Sequence, residues 1–205
     1  MNFKWLATLY LLMTQNSMRK LIVSAWVSLD GIFDADTMEQ WFNPYHSDAR
    51  AAYIKETIDA ADAFVLGRTT YEMLAPYWSA QQNNEMGVAA RLNSLPKYVV
   101  SSTLQKADWT NSTIVSGNAT QAVARLKQQP GQDIVIMGSA SLVQSLMQAD
   151  LIDQYRFLVQ PIIVGSGKRF FKDGMQSPSL KLVSCQTFDL GVVLLTYEPE
   201  RGAAA

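Results

Sequence analysis

The stretch 64-FVLGRTTYEML-74 runs apolar from Phe64 to Leu66, breaks at Gly67, and continues through Arg68, Thr69 and Thr70 into helix-forming residues. That is the signature of a buried strand handing over to a helix. Such a junction exposes free backbone N–H groups and the positive end of the helix dipole, so it is a natural seat for an anion. Arg68 adds a forked donor that suits phosphate. The plainer alternative is a threonine-capped helix with its arginine in solvent. The neighbouring sequence has to decide between them.

On the N-terminal side, 20-KLIVSAWVSLD-30 reads as a strand ending at the turn signal Asp30-Gly31. A polar, aromatic loop follows. Ser47 is placed to cap a helix running to about Ala60, with Ala51, Ile54 and Ile58 on one face. After 69-TTYEMLA-75, Pro76 is expected to stop the helix. Then come the helix MGVAARLNSL, the strands KYVVSS and STIVSG, the helix ATQAVARLKQQ, the strand DIVIMG and the helix ASLVQSLMQA. The tail changes character. QYRFLVQPIIVG, LKLVSCQTF and VVLLTYEP read as strands without helices between them, the last two joined by a turn at Asp189-Leu190-Gly191. Alternation followed by a strand-rich tail predicts a single α/β domain: a mostly parallel central sheet with an antiparallel C-terminal edge.

Composition narrows the function. The chain has 205 residues, 48% hydrophobic, enough for one sizeable core. A net charge of -1 gives no footprint for nucleic acid or an anionic membrane. The single cysteine, Cys185, excludes an internal disulfide framework and fits a reducing, cytoplasmic setting; it reads as a half-buried strand residue. The single histidine, His46, argues against a histidine metal cluster, and no G-x-S-x-G elbow accompanies it. No metal site is expected. Residues 1–17 carry an apolar run without a cleavage signal and read as an extension, residues 18–198 as the domain, and residues 199–205 as a disordered tail. The sequons at Asn111 and Asn118 have no meaning in the cytosol.

Two motifs mislead. No G-x-G-x-x-G follows the first strand, so the Rossmann fingerprint is missing. The run 162-IIVGSGKR-169 imitates part of a P-loop but has Ile162 and Arg169 where glycine and a hydroxyl residue belong. It reads as a tight turn with Lys168 and Arg169 in solvent.

Two further strand ends support the phosphate reading of Gly67 to Thr70. YVVSST closes with Ser101, Ser102 and Thr103, and IVIMGSASL breaks at Gly138-Ser139 where a helix starts. Ligands of parallel α/β sheets lie outside the carboxyl ends of the strands, and three such ends make a cradle for a molecule with several phosphates.

In this order, VLGRTTYE, YVVSST and IVIMGSASLVQSL resemble the dihydrofolate reductase fold, a three-layer α/β/α arrangement. VSLDG near the start and LIDQYRFLVQPIIVGSGKRFF near the end bring the resemblance closer to the reductase domain of the bifunctional riboflavin biosynthesis enzyme, the RibD C-terminal domain family, in a stand-alone bacterial form. The resemblance spans about residues 18–198. It implies NADPH as cofactor. Gly67, Arg68, Thr69 and Thr70 would hold the diphosphate and the adenosine 2′-phosphate, and Ser101 and Ser102 would line the adenosine ribose. Gly138, Ser139, Ala140, Ser141 and Leu142 would pack a helix start against the diphosphate, and Ala25 would lie beside the nicotinamide. The family's usual Gly-Gly is Gly138-Ser139 here. The relatives also imply a two-fold homodimer built on the tail strands.

The implied activity is hydride transfer to a small heterocyclic substrate of pterin or ribosylamino-pyrimidine type, with no nucleic acid or membrane partner. Alternatives are the 5-amino-6-(5-phosphoribosylamino)uracil reductase of riboflavin biosynthesis, without its deaminase domain, and a domain that binds NADPH and reduces nothing. Asp30, at the end of the first strand, is the candidate catalytic and substrate-binding carboxylate, or else a turn residue. Asp48 does not match the spacing of the dihydrofolate reductase helix acid and reads as a first-turn residue favoured by the dipole. Trp26, Trp41, Phe42 and Trp78 are candidates for a stacking wall, Trp41 foremost, or for plain core.

Overall fold

A computed structural model describes residues 18–81, 83–175 and 178–201. The expected extension over residues 1–17 lies outside them. Eight strands form one sheet: β1 Leu21–Ser28, β2 Ala63–Gly67, β3 Lys97–Val100, β4 Ser112–Val115, β5 Ile134–Ile136, β6 Gln154–Gln160, β7 Leu180–Thr187 and β8 Val193–Pro199. Their order is β4-β3-β2-β5-β1-β6-β8-β7, parallel throughout except that β8 runs antiparallel to both β6 and β7. The fold is the α/β arrangement that the alternation predicts.

The helices are α1 Met38–Trp41, α2 Asp48–Ala60, α3 Arg68–Ser79, α4 Ala89–Ser94, α5 Ala119–Lys127 and α6 Ala140–Gln148. Alternation along β1 explains the layering. Leu21, Val23 and Ala25 face the side packed by Val123 and Leu126 of α5 and Leu142, Val143 and Leu146 of α6. Phe64 and Leu66 of β2 face the other way, onto Ile58 of α2, Tyr71 and Ala75 of α3 and Leu92 of α4. Each of these side chains is buried, and the two cores supply the bulk of the hydrophobic stabilisation.

Several expectations need correction. Pro76 does not end its helix: α3 continues to Ser79. Pro76 and Glu72 both lie on the exposed face, so the Glu72 carbonyl that loses its partner can turn to water. The strand expected through Gly165 stops at Gln160, because Pro161 cannot donate to a ladder. The helix expected from Met86 begins as a 3-10 turn, Glu85–Gly87, and becomes α-helical at Ala89. Cys185 is exposed rather than half-buried, since β7 is an edge strand that no helix of the described residues covers. Of the tail expected over residues 199–205, residues 199–201 are ordered and 202–205 lie outside the described residues. Pro199 still belongs to β8, and the Arg201 guanidinium is bound to Asp150 and Asp153. Among the described residues no helix is long and apolar enough to cross a membrane.

Candidate functional site

The carboxyl ends of β2 and β5 are pressed together. The Gly67 N–H donates to the Gly138 carbonyl at 3.0 Å. A Cβ on Gly67 would meet Ser139 Oγ at 2.5 Å and Ser139 N at 2.9 Å, and one on Gly138, which has φ +137°, would meet Thr70 Oγ1 at 2.8 Å. Glycine is required at both positions for the backbones to approach. The Gly138–Ser139 peptide is cis.

This contact sets the N-termini of α3 and α6 side by side. Gly67 and Ser139 are their N-caps, and neither makes a side-chain cap bond. By contrast, Ser47 caps α2 by accepting from Arg50 N, and Asn118 caps α5 by accepting from Gln121 N. The short helices α1 and α4 also start without a side-chain cap, at Thr37 and Val88, but only the starts of α3 and α6 meet, among the described residues, over one groove. That groove, about 530 Å³, runs past Arg68, Thr69, Ser101, Ser102, Ser139 and Ser141. Arg68 is half exposed and, among the described residues, paired only with Glu72, at 3.2 Å on the next helical turn, a weak surface bond that a stronger anion would displace. Ser101 Oγ accepts from the Thr103 and Leu104 N–H groups, which curls the end of β3 and leaves Ser102 exposed.

A second cavity of about 390 Å³ opens from the same junction and shares Thr69, Ser139 and Ser141 with the groove. Its walls are mostly apolar: Trp26, Phe33, Met38, Trp41, Met73 and Met137. Ser24 and Trp26 of β1 line it, whereas Ala25, between them, turns into the opposite core. Only the Ala25 backbone is thus left to serve the role expected of it beside a nicotinamide. Trp41 lines the cavity, its Nε1 donating to the Asp34 carbonyl at 3.1 Å; Phe42 stacks behind Trp26, and Trp78 packs into the core under α3.

Asp30 is not among the lining residues. Its carboxylate accepts from Ser28 Oγ at 2.6 Å, Val164 N at 3.1 Å and Gly165 N at 2.8 Å. The Ser28 hydroxyl leads in drawing its pKa down to about 2, and the two backbone donors add to it against the opposing effect of desolvation. Asp30 knits the loop after β1 to the loop after β6. Asp48 lies in the first turn of α2, exposed, and His46 is exposed before it.

Sequence reading missed the rest of this seam. Phe33 N donates to Lys168 O at 2.7 Å, Phe170 N to Gly31 O at 3.0 Å, and Ile32 bridges Arg169. Lys168 Nζ pairs with Asp34 and Asp36, and Arg169 Nη1 donates to Asp30 O. Burial pushes the Asp34 pKa up, but the Lys168 N–H and ammonium outweigh it and hold the carboxyl below its ordinary range. Lys168 and Arg169, which the sequence reads as a solvated turn, join Lys172 in a cationic rim on the cavity. The long sequence separation between the two loops left no local signal for it.

A model of the RibD C-terminal domain family matches residues 19–194. The uncharacterized protein YyaP of Bacillus subtilis strain 168 is 29% identical over 188 residues, covering 90% of this chain and 98% of that protein. Among solved structures, a protein of Shewanella sp. PV-4 named for riboflavin biosynthesis superposes with a TM-score of 0.67 at 22% identity, covering 90% of this chain and all of that one. Dihydrofolate reductase from Enterococcus faecalis, solved with NADP(H), gives a TM-score of 0.60 at 17% identity, covering 88% of this chain and 96% of that one.

Proposed function

The chain belongs to the RibD C-terminal domain family, and on that premise we propose that it is an NADPH-dependent reductase passing hydride to a small flat heterocycle. The observation that carries this reading is the pair of uncapped helix starts, α3 and α6, meeting over one groove. Their N–H groups fit a diphosphate. Gly67 and Gly138 keep the floor free of side chains, and Thr69, Ser139, Ala140 and Ser141 border the passage into the cavity. Arg68, once it releases Glu72, and Ser102 suit the adenosine 2′-phosphate. Leu142 underlies the groove from the core side. When bound, the nicotinamide supplies the hydride. The protein's share is orientation and exclusion of water by Trp26, Phe33, Trp41 and Met137, so no strong acid or base is demanded of the lining.

The cationic rim favours one narrower reading. Lys168, Arg169 and Lys172 suit a phosphorylated substrate, as the uracil reductase of riboflavin biosynthesis would require. The exposed edge strand β7, with Leu182 and Val183 half exposed, supports assembly as a homodimer. The deciding experiment is to follow NADPH oxidation by purified protein with pterins, ribosylamino-pyrimidine phosphates and quinones. Turnover with one class supports the reductase. NADPH binding without turnover on any of them would leave a cofactor-binding domain instead.

A further inference from the structure

Arg50 is a buried cation that the cofactor groove does not use. It sits in the first turn of α2 and is 3% exposed. Nη1 donates to the Phe42 carbonyl at 2.8 Å, and Nε is buried without a partner. The guanidinium carbon lies 4.1 Å from the centroid of the Phe42 ring. Trp26 stacks on that ring as well, with centroids 4.3 Å apart and planes 12° from parallel, so cation and indole take opposite faces of Phe42. Trp26 in turn lines the apolar cavity. Arg50, Phe42 and Trp26 therefore form a column that ends at the cavity wall.

Among the described residues no carboxylate neutralises this guanidinium. Burial is what lowers its pKa, yet arginine stays protonated at any ordinary pH. An uncompensated buried charge is costly, so its field is felt through the low-dielectric stack. The cavity lining adds charge of the same sign. Among the described residues its one carboxylate, Asp36, is already paired with Lys168, which leaves Arg169 and Lys172 in excess.

We infer that the cavity selects flat rings that are neutral or anionic over protonated ones, and that Arg50, acting through Phe42 and Trp26, is the positioning residue that sets this choice. Dioxo heterocycles, whose ring N–H groups are weakly acidic, fit such a site. Diamino heterocycles, which gain a proton on the ring, do not. The inference rests on the proposed function in one respect, that this cavity is where substrate sits.

The test is equilibrium binding, read by probe fluorescence in the presence of NADP+, of 6,7-dimethyllumazine against 2,4-diamino-6,7-dimethylpteridine at a pH that protonates the latter. The wild-type protein is expected to hold the dioxo probe about tenfold more tightly, the size of a unit-charge effect across roughly 12 Å at intermediate dielectric. Arg50→Met should bring the ratio near one, while Arg50→Lys should largely keep it. Equal or tighter binding of the diamino probe to the wild type overturns the inference. So does a ratio that survives Arg50→Met and collapses in Lys172→Met, which would put the choice on the rim. If Arg50→Met does not fold, salt decides: a buried source keeps the wild-type ratio between low and molar salt, and an exposed rim loses it. Neither probe binding while NADPH still binds would overturn the inference and leave the reductase reading standing. Loss of NADPH binding itself would sink that reading.

Discussion

The two ends of the site are built on opposite logic. At the groove, α3 and α6 begin with no side chain on their free N–H groups, although α2 and α5 in the same chain are capped in the usual way. Donors are held out for something else to satisfy. At the cavity rim, the loops after β1 and β6 are tied to each other through Asp30, Asp34, Lys168 and Arg169. An end that leaves donors unmet is built to bind by hydrogen bonds. An end that satisfies itself and exposes aromatic and thioether surface binds by shape and field. The difference says where to look for tight, general cofactor affinity and where to look for selectivity.

The sharpest way to break this contrast is Gly67→Ala. The new Cβ has to displace Ser139, including its backbone nitrogen, so both helix starts shift. Stability should fall by about 1–3 kcal/mol, as for other overpacked sites, and NADPH binding by isothermal titration should disappear. Retained affinity would mean that the paired helix starts are not the diphosphate seat. Next in size, Arg68→Ala should weaken NADPH by about 1.5–3 kcal/mol, the worth of a hydrogen bond to a charged group, and NADH much less. Equal losses for the two cofactors would remove Arg68 from the 2′-phosphate.

The rim responds differently. Asp30→Asn should lower stability while leaving NADPH affinity unchanged, because its acceptors serve the loop seam. The effect has a definite pH dependence. The folded-state pKa of Asp30 lies near 2, below its unfolded value, so the contribution is fully present above about pH 4 and lost as pH falls toward 2. Urea melts of wild type and Asp30→Asn should therefore converge across that window. A constant gap would assign the seam to other residues. The smallest expected change is Val183→Lys on the β7 edge. It should leave the melting temperature nearly unaltered and convert a sedimenting dimer to monomer. A wild type that is already monomeric at micromolar concentration would remove the dimer.

Fold and groove were legible because their signals are local. A strand breaking at Gly67 into Arg-Thr-Thr, or at Gly138 into Ser139, carries its own backbone requirement in a few consecutive residues. The substrate end was not legible, since what matters there is a meeting of residues about 135 positions apart, Asp30 with Gly165. The sequence leaves Asp30 open between carboxylate of the site and turn residue, and its partners Ser28, Val164 and Gly165 speak for the second. In the sequence Lys168 and Arg169 read as part of a false P-loop, because a turn in solvent and a turn at a rim look alike there. Trp26 and Phe42 were ambiguous between wall and core, and they are both: one lines the cavity, the other stands behind it. Pro76 shows the reverse error, a strong local signal overridden because its face of α3 is wet.

The strand order has a consequence for how the chain acquires its shape. β1 lies in the middle of the sheet, between β5 and β6, and its residues pair with partners more than 110 positions later, Leu21 with Ile134 and Ile22 with Gln154. During synthesis the early strand has to wait, apolar and unpaired, until the second half of the chain has left the ribosome. At the other end, β8 slots between β6 and β7 and runs against both. A nascent chain stopped before residue 193 would hold two strands with a gap between them. The consecutive strands β2, β3 and β4 can pair as they emerge, but the centre of the sheet cannot. Pairing across such separations predicts slow closure of the sheet, with β1 exposed to aggregation meanwhile.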